Sequence, residues 1–524
     1  MRDGELKRVK TQFRSVKLSL RDLVGRDYVE AVCGARAALT GQKAEALLAA
    51  AARKVDFFPP SFQHRILRLL PSVGQRVAAP LKASARGAGS REFVKRSVTA
   101  AAPLSGCGVY RVGEDGRLYL TTKSEHYHAP LGHAFPGYKL IETAFRLGVP
   151  NPTHNNARGH ITRLLEEELI RAANGLARGD EAGLEKVLTS RSGSVMNRVL
   201  NLQTGSLACE AAIKLLLARF YRPQDDSRQP KYSGRIPVFL VIGDEDGGLL
   251  ANYHGTTVLA QMMRGMWPEL GAAAEKGGLM QVRAVRPNRV SELEAAFRRY
   301  ERGRYKIAGV FYELVLMNYG AKRLTDEFVR RIHQLGRKHD APVVVDEIQT
   351  CVWSPELLMF REYGVKPSIV VLGKGLPGGQ FPASRILFSA ALDALPQFGA
   401  LVTNGQEELS SLAYLITMRW AQANAEVTAA VGEYYEERLR AMARRHRDRI
   451  QDIEGRRHLG AICFGELEAG LRFVRRLNEA GLDISVQTYK SECPPSALTK
   501  LPLTAGYEVV DAVLERMESA LKSL

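Results

Sequence analysis

Cysteine is scarce in this chain of 524 residues: Cys33, Cys107, Cys209, Cys351, Cys463 and Cys493 are its six, and they lie far apart. No C-x-x-C pair and no histidine partner at zinc-ligand spacing accompanies them, so neither a zinc module nor a disulfide framework is indicated, and reduced thiols are expected. Long apolar runs are absent too. Nothing approaches the roughly 20 residues that a membrane-spanning helix needs, and a candidate such as Ala46 to Ala52 is short and alanine-rich. The stretch Met1 to Lys7 carries charges of both signs without the apolar core of a secretory signal. The expectation is a cytoplasmic protein with no membrane partner.

Charge is plentiful but unevenly placed. The formal net charge is +18, and residues 1–100 hold twenty Lys and Arg against eight Asp and Glu, which leaves the remainder only mildly basic. A basic segment suits nucleic acid or anionic lipid, yet no zinc finger, RNP or recognition-helix pattern accompanies it. A solvated helical face or a subunit contact is therefore the expectation, and no nucleic-acid partner. With 45% hydrophobic and 25% charged residues, the composition is that of a globular protein long enough for two or three domains.

Periodicity divides the chain. Residues 1–100 read as a helical, basic extension, with helices over Leu39 to Val55 and around Phe62 to Leu70, and the small residues from Arg86 to Ser90 offer a boundary. Beyond Tyr110, apolar runs at Pro237–Ile242, Ile307–Tyr312, Pro342–Val345, Ser368–Leu372 and Arg385–Ser389 alternate with helical stretches such as Leu207–Tyr221 and Asp326–His339. Alternation of this kind predicts a mainly parallel α/β sheet buried on both faces, with ligands beyond the carboxyl ends of the strands. From about Leu412 the chain is strongly helical through Asp452, then mixed, with a closing helix over Tyr507–Leu524. The expected division is an extension at 1–100, an entrance segment of the small domain at 101–165, a large domain at 166–410 and a small α+β domain at 411–524.

Chemistry concentrates at two strand ends. The run Val343-Val344-Val345 delivers Asp346, followed by Glu347-Ile348-Gln349; twenty-eight residues after Asp346, Val370-Val371-Leu372-Gly373 delivers Lys374 between glycines. An amine among apolar neighbours gives up its proton readily and becomes nucleophilic, so this lysine can form an imine with an aldehyde. A carboxylate such as Asp346 can keep a pyridine nitrogen protonated and the ring electron-poor. Either residue alone is compatible with a capping aspartate or a solvated lysine; their order and placement together point to cofactor chemistry.

These residues carry a resemblance. V-V-V-D-E-I-Q-T followed by G-K-G-L-P-G-G-Q-F-P resembles the signature of class III aminotransferases, which are fold type I pyridoxal-phosphate enzymes, and the likeness extends over about residues 105–524. It implies a large domain built on a seven-stranded sheet flanked by helices, with pyridoxal 5′-phosphate held by Lys374 as the imine lysine, Asp346 at the pyridine nitrogen and Gln349 at the ring oxygen. Gln203-Thr204-Gly205-Ser206 is similar to the family's phosphate turn before a helix, which implies Gly205 and Ser206 as phosphate binders. Tyr253-His254-Gly255 resembles its aromatic-His-Gly, with Tyr253 stacked on the ring and His254 beside it. Glu313 matches the acidic residue near the cofactor, with Asn318 following at similar spacing. Leu131-Gly132-His133-Ala134-Phe135-Pro136 resembles the substrate-side G-H-x-H-P. Thr403 corresponds to the threonine that reaches the phosphate in the neighbouring subunit, which implies a homodimer with shared sites.

Departures accompany the likeness. Leu207 stands where the phosphate turn has glutamate, Leu314 replaces a proline, and Gln406, Glu407 and Glu408 replace a glycine, an asparagine and a proline. The arginine that in many members precedes P-P-L-T and clamps the substrate carboxylate is missing from Leu498-Thr499-Lys500-Leu501-Pro502-Leu503-Thr504. Lys500 is a point charge, unable to reproduce a planar fork. The implied activity is ping-pong transamination from an amine or amino acid to a keto acid or aldehyde, the substrates being small molecules. Aminomutase, racemase, decarboxylase and lyase chemistry remain open on the same scaffold, as does a non-catalytic binding protein of this fold.

Overall fold

The computed structural model describes residues 13–154, 156–243, 254–487 and 493–524. Its centre is a seven-stranded sheet. Numbered along the chain, the strands are β1 (Arg198–Leu202), β2 (Ile236–Ile242), β3 (Gln281–Val285), β4 (Tyr305–Tyr312), β5 (Val343–Asp346), β6 (Ile369–Leu372) and β7 (Ser384–Phe388), arranged in the order β1-β7-β6-β5-β4-β2-β3. All run parallel except β7, which pairs antiparallel with both β6 and β1. The sheet is thus mainly parallel, as expected, and Arg385–Ser389 is its reversed member. Strands β2, β5, β6 and β7 are buried along their whole length.

Two strands were not foreseen. β1 and β3 close the two edges of the sheet and are only half-buried along most of their length, so neither shows the continuous apolar run of the central strands. Helix α1 (Gly205–Leu217) follows β1 and packs across β6 and β7, with Ala208, Ala211, Ala212 and Leu216 buried beneath it. Helix α2 (Asp326–Lys338) is capped by Thr325, whose hydroxyl accepts from the amide of Phe328 at 3.3 Å, and leads back into β5.

Two expected helices end early. The span Leu39–Val55 is divided by Gly41, the left-handed cap of a helix over Arg26–Thr40, before a second helix runs over Ala44–Ala52. The helical stretch after Leu412 ends at Arg445, and Ile450–Arg456 is a strand that buries Ile450 and Ile453. That strand, β8, joins β9 (Leu459–Phe464), β10 (Ser485–Gln487) and β11 (Ser496–Lys500) in an antiparallel sheet ordered β8-β9-β11-β10. A third, three-stranded sheet spans Pro103–Leu120 and is bridged from Leu120 to Leu482, in the segment that leads into β10. Among the described residues, no helix is long and apolar enough to cross a membrane.

Candidate active site

Because β1, β4, β5 and β6 are parallel, their carboxyl ends meet at one edge, and the loops that follow bring distant segments together. Register sets Asp346 beside Val371 on β6, and Tyr312, the residue before Glu313, beside Val345 on β5. A cavity of about 440 Å3 opens there, lined among others by Gln203, Gly205, Ser206, His254, Asp346, Gln349 and Lys374. Its position agrees with the rule that ligands of such sheets sit beyond the strands' carboxyl ends.

The floor is electrostatically built. Asp346 is buried; its Oδ2 lies 2.8 Å from His254 Nδ1 and accepts from the Cys209 thiol at 3.4 Å, while Oδ1 accepts the Ile348 amide at 3.0 Å. Burial, with Asp346 next to it, pushes the Cys209 thiol well above its ordinary range, so this cysteine is a neutral donor. Gln349 Nε2 donates to both oxygens of Glu313 at 3.4 Å. Burial and the neighbouring Asp346 hold the Glu313 carboxyl well above the carboxylate range. Burial also lowers the proton affinity of Lys374, with Glu313 and Asp346 opposing that shift. The lysine stands in the left-handed region at φ 39°.

The opposite end of the cavity suits an anion. Thr204 caps α1, its hydroxyl accepting from the Leu207 amide at 3.4 Å, and its carbonyl accepts from the Ser384 hydroxyl at 2.7 Å, which ties the turn to β7. The amides of Gly205 and Ser206 lie in the first helical turn, where intrahelical acceptors are lacking. Ser206 Oγ accepts the Thr256 amide at 3.0 Å. A side chain at Gly255 would come within 2.7 Å of Ser206 Cα, so the backbone of this segment lies directly against the turn.

The structure thus brings Gly205, Ser206, His254, Glu313, Asp346, Gln349 and Lys374 together. Tyr253 lies outside the described residues. Thr403 is exposed and does not line the cavity. Asn318 accepts from Gln487 Nε2 at 3.4 Å, on the side of the C-terminal sheet. His133 pairs with Glu125 at 2.8 Å. Lys500 departs from a substrate-facing role: it is fully buried, donates to the backbone carbonyl of Gln349, and lies 3.7 Å from the ring centroid of Trp353 and 4.7 Å from that of Tyr127. No arginine lines the cavity among the described residues.

Sequence reasoning did not single out Tyr127, Trp353 or the Cys209 thiol. The ring of Tyr127 has Lys374 Nζ 5.2 Å from its centroid as well as Lys500. An unremarkable Ser-Glu-His-Tyr run gave no signal for this placement.

Comparison with known proteins accords with this geometry. The fold is shared with the ornithine aminotransferase of Toxoplasma gondii ME49, at a TM-score of 0.66 and 18% identity over 83% of this chain and 93% of that one. It is also shared with the N-acetylornithine aminotransferase of Stenotrophomonas maltophilia, at a TM-score of 0.60 and 18% identity over 82% and 98% of the two chains. By sequence, the chain is 24% identical over 372 residues to the acetylornithine aminotransferase of Caldanaerobacter subterraneus, covering 69% of this chain and 88% of its relative. Residues 95–521 match the model of the class III aminotransferases. The chain belongs to the class III aminotransferase family, a family of pyridoxal-phosphate-dependent enzymes.

Proposed function

We propose that this aminotransferase binds pyridoxal 5′-phosphate on Lys374 in the 440 Å3 cavity and transfers amino groups in a ping-pong cycle. The observation that carries this reading is the convergence of Lys374 and Asp346, from adjacent strands, on one cavity that also contains a helix N-terminus. The residues fit the cofactor. The first-turn amides of Gly205 and Ser206 suit its phosphate, Asp346 suits its ring nitrogen, and Gln349 Oε1 is buried without a partner among the described residues, which fits a polar group of the ring or substrate.

Pyridoxal phosphate, when bound, supplies an electron-accepting ring that stabilises negative charge beside the transferred nitrogen. The protein's residues do the rest. His254 Nδ1 fixes the Asp346 carboxylate and keeps its charge directed at the ring-nitrogen end. Lys374, its proton affinity lowered by burial, would hold the cofactor and, once released from it, would take up and return the proton of the substrate carbon as general base and acid. Glu313, held towards its protonated form, and Gln349 line the ring-oxygen side.

Small amines or amino acids and keto acids or aldehydes are the substrates of this reading. The experiment is amino transfer from a donor panel to pyruvate, 2-oxoglutarate and aldehydes, with product analysis. Formation of a keto or aldehyde product from the donor is expected in wild type and is abolished in Lys374→Ala. A second reading has one observation in its favour: the chain is 23% identical over 334 residues to the glutamate-1-semialdehyde 2,1-aminomutase of Clostridium tetani, covering 62% of this chain and 68% of its relative. Isomerised product with no released keto compound would select it.

The exposed position of Thr403, together with its correspondence to a threonine that serves the neighbouring subunit, supports a homodimer with shared sites. Light scattering of the purified protein at twice the chain mass of 57.9 kDa is the expected result.

A further inference from the structure

We propose that His126 and His128, presented by a left-handed turn at the mouth of the Lys374 cavity, recognise an anionic group of the substrate, in place of the clamp arginine that this chain lacks. The proposal rests on the reading of that cavity as the site of amino transfer.

The turn is the first observation. Ser124, Glu125, His126 and Tyr127 have φ values of 46°, 49°, 56° and 76°, four consecutive left-handed residues without a glycine. The amides of Tyr127 and His128 bond back to the carbonyls of Lys123 and Ser124 at 2.8 and 3.1 Å, so this is one turn of left-handed helix. L-residues adopt that conformation only against steric opposition, and such strain persists only where surrounding structure imposes it.

Two anchors impose it here. Ser124 Oγ donates to the carbonyl of Lys500 at 2.5 Å, and Glu125 bridges Arg111 at 2.6 Å and His133 at 2.8 Å. The acidic member of the turn is therefore already neutralised: burial opposes ionisation, but His133 and Arg111 hold the Glu125 carboxyl down at about 2. The residues left to face the substrate are basic. His128 lines the cavity with Lys374 and lies against Gly379, where a built Cβ would meet its Cδ2 at 3.2 Å. His126 stacks on Tyr127 with centroids 4.9 Å apart, and Lys123 Nζ lies 5.9 Å from the same ring.

Basic groups crowd the turn. The groups near His126 are Lys374 from the loop after β6, Lys500 from β11, and Lys123 and His128 from its own segment. Asp483 opposes at Lys123 and Arg111, and Glu125 opposes at His128, which His133 also faces. Desolvation by the surrounding chain, then repulsion from Lys374 and its neighbours, lowers the proton affinities of His126 and His128, although both rings remain exposed to solvent. An arriving carboxylate or phosphate relieves the repulsion, so binding draws protons from solvent and strengthens as pH falls. Lys500 and Lys123 do not serve in this role, since the amine of one is committed to the Gln349 carbonyl and that of the other to Ser485 Oγ at 2.6 Å.

The test uses the full chain loaded with pyridoxal phosphate, with cofactor absorbance confirming occupancy. Calorimetric titration with succinate and with inorganic phosphate, in two buffers of different ionisation enthalpy, reads affinity and proton uptake. Binding of at least one anion with net proton uptake is expected. The variant is His126→Asn with His128→Ala, asparagine being tolerant of the left-handed region. It should weaken that binding at least tenfold, and raise KM for anion-bearing donors at least tenfold more than for uncharged amines. Succinate alone assigns a carboxylate, phosphate alone a phosphorylated substrate. Absence of binding in wild type, absence of proton uptake, or equal affinity in a variant with wild-type melting temperature would overturn the proposal. Titrating unloaded protein in parallel separates the two readings: failure to take up cofactor rejects the cavity's assignment while the anion result still stands or falls.

Discussion

Lys500 behaves least like its residue type. Lysine is almost never fully buried without a paired charge, yet here the ε-amino group meets a carbonyl and two aromatic faces, with Lys374 across the Tyr127 ring. Burial, then repulsion from Lys374, places its proton affinity well below the ordinary 10.5. The sign of the consequence follows from proton counting. Between the depressed folded value and 10.5 the unfolded chain binds the extra proton, so stability rises with pH across that window and is flat above it. Lys500→Met should remove that alkaline rise, as read from urea midpoints between pH 7 and 11. An unchanged slope would show that Lys500 is charged in the native state. Sequence alone flagged Lys500 only as the wrong residue for a clamp, because burial of a lysine leaves no mark in its neighbours.

Among the elements, the loop from Gly373 to Gly379 decides whether Lys374 reaches the cavity. Gly378 adopts φ +63°, and a Cβ there would fall 1.6 Å from Tyr138 Oη, a buried hydroxyl that shares a 2.7 Å hydrogen bond with Thr417. Gly378→Ala should cost roughly 2–5 kcal/mol from left-handed strain and overpacking. It should also weaken cofactor retention, measured as absorbance kept after dialysis. Stability and retention like those of wild type would show that the loop does not depend on this contact. The same loop shows what was legible beforehand. Lys374 and Asp346 stood out because each ends an apolar run, and parallel strands must bring such ends to one edge. β1 and β3 did not, because edge strands need no continuous apolar run. The left-handed turn at Ser124–Tyr127 was invisible, since tertiary anchors rather than glycine impose it.

At the scale of the whole molecule, the basic extension is joined to the family region by aromatic packing as well as by the Arg14–Glu426 ion pair. Phe58, 2% exposed, lies 5.2 Å from Phe13, 6.2 Å from Phe135 and 5.8 Å from Trp420 between ring centroids. Residues before position 95 lie outside the family match. Phe58→Ala should destabilise the full chain by about 3–5 kcal/mol, the usual cost of emptying a buried aromatic site. A shift below 1 kcal/mol in urea unfolding would show that the extension folds apart from the body. Everything said of catalysis, however, depends on one nitrogen. The most direct measurement is borohydride reduction of the protein after incubation with pyridoxal phosphate, followed by peptide mass spectrometry. A single pyridoxyl-modified residue at Lys374, lost in Lys374→Ala, is the predicted result; modification elsewhere, at Lys500 or on scattered surface lysines, with Lys374 untouched, would contradict the account.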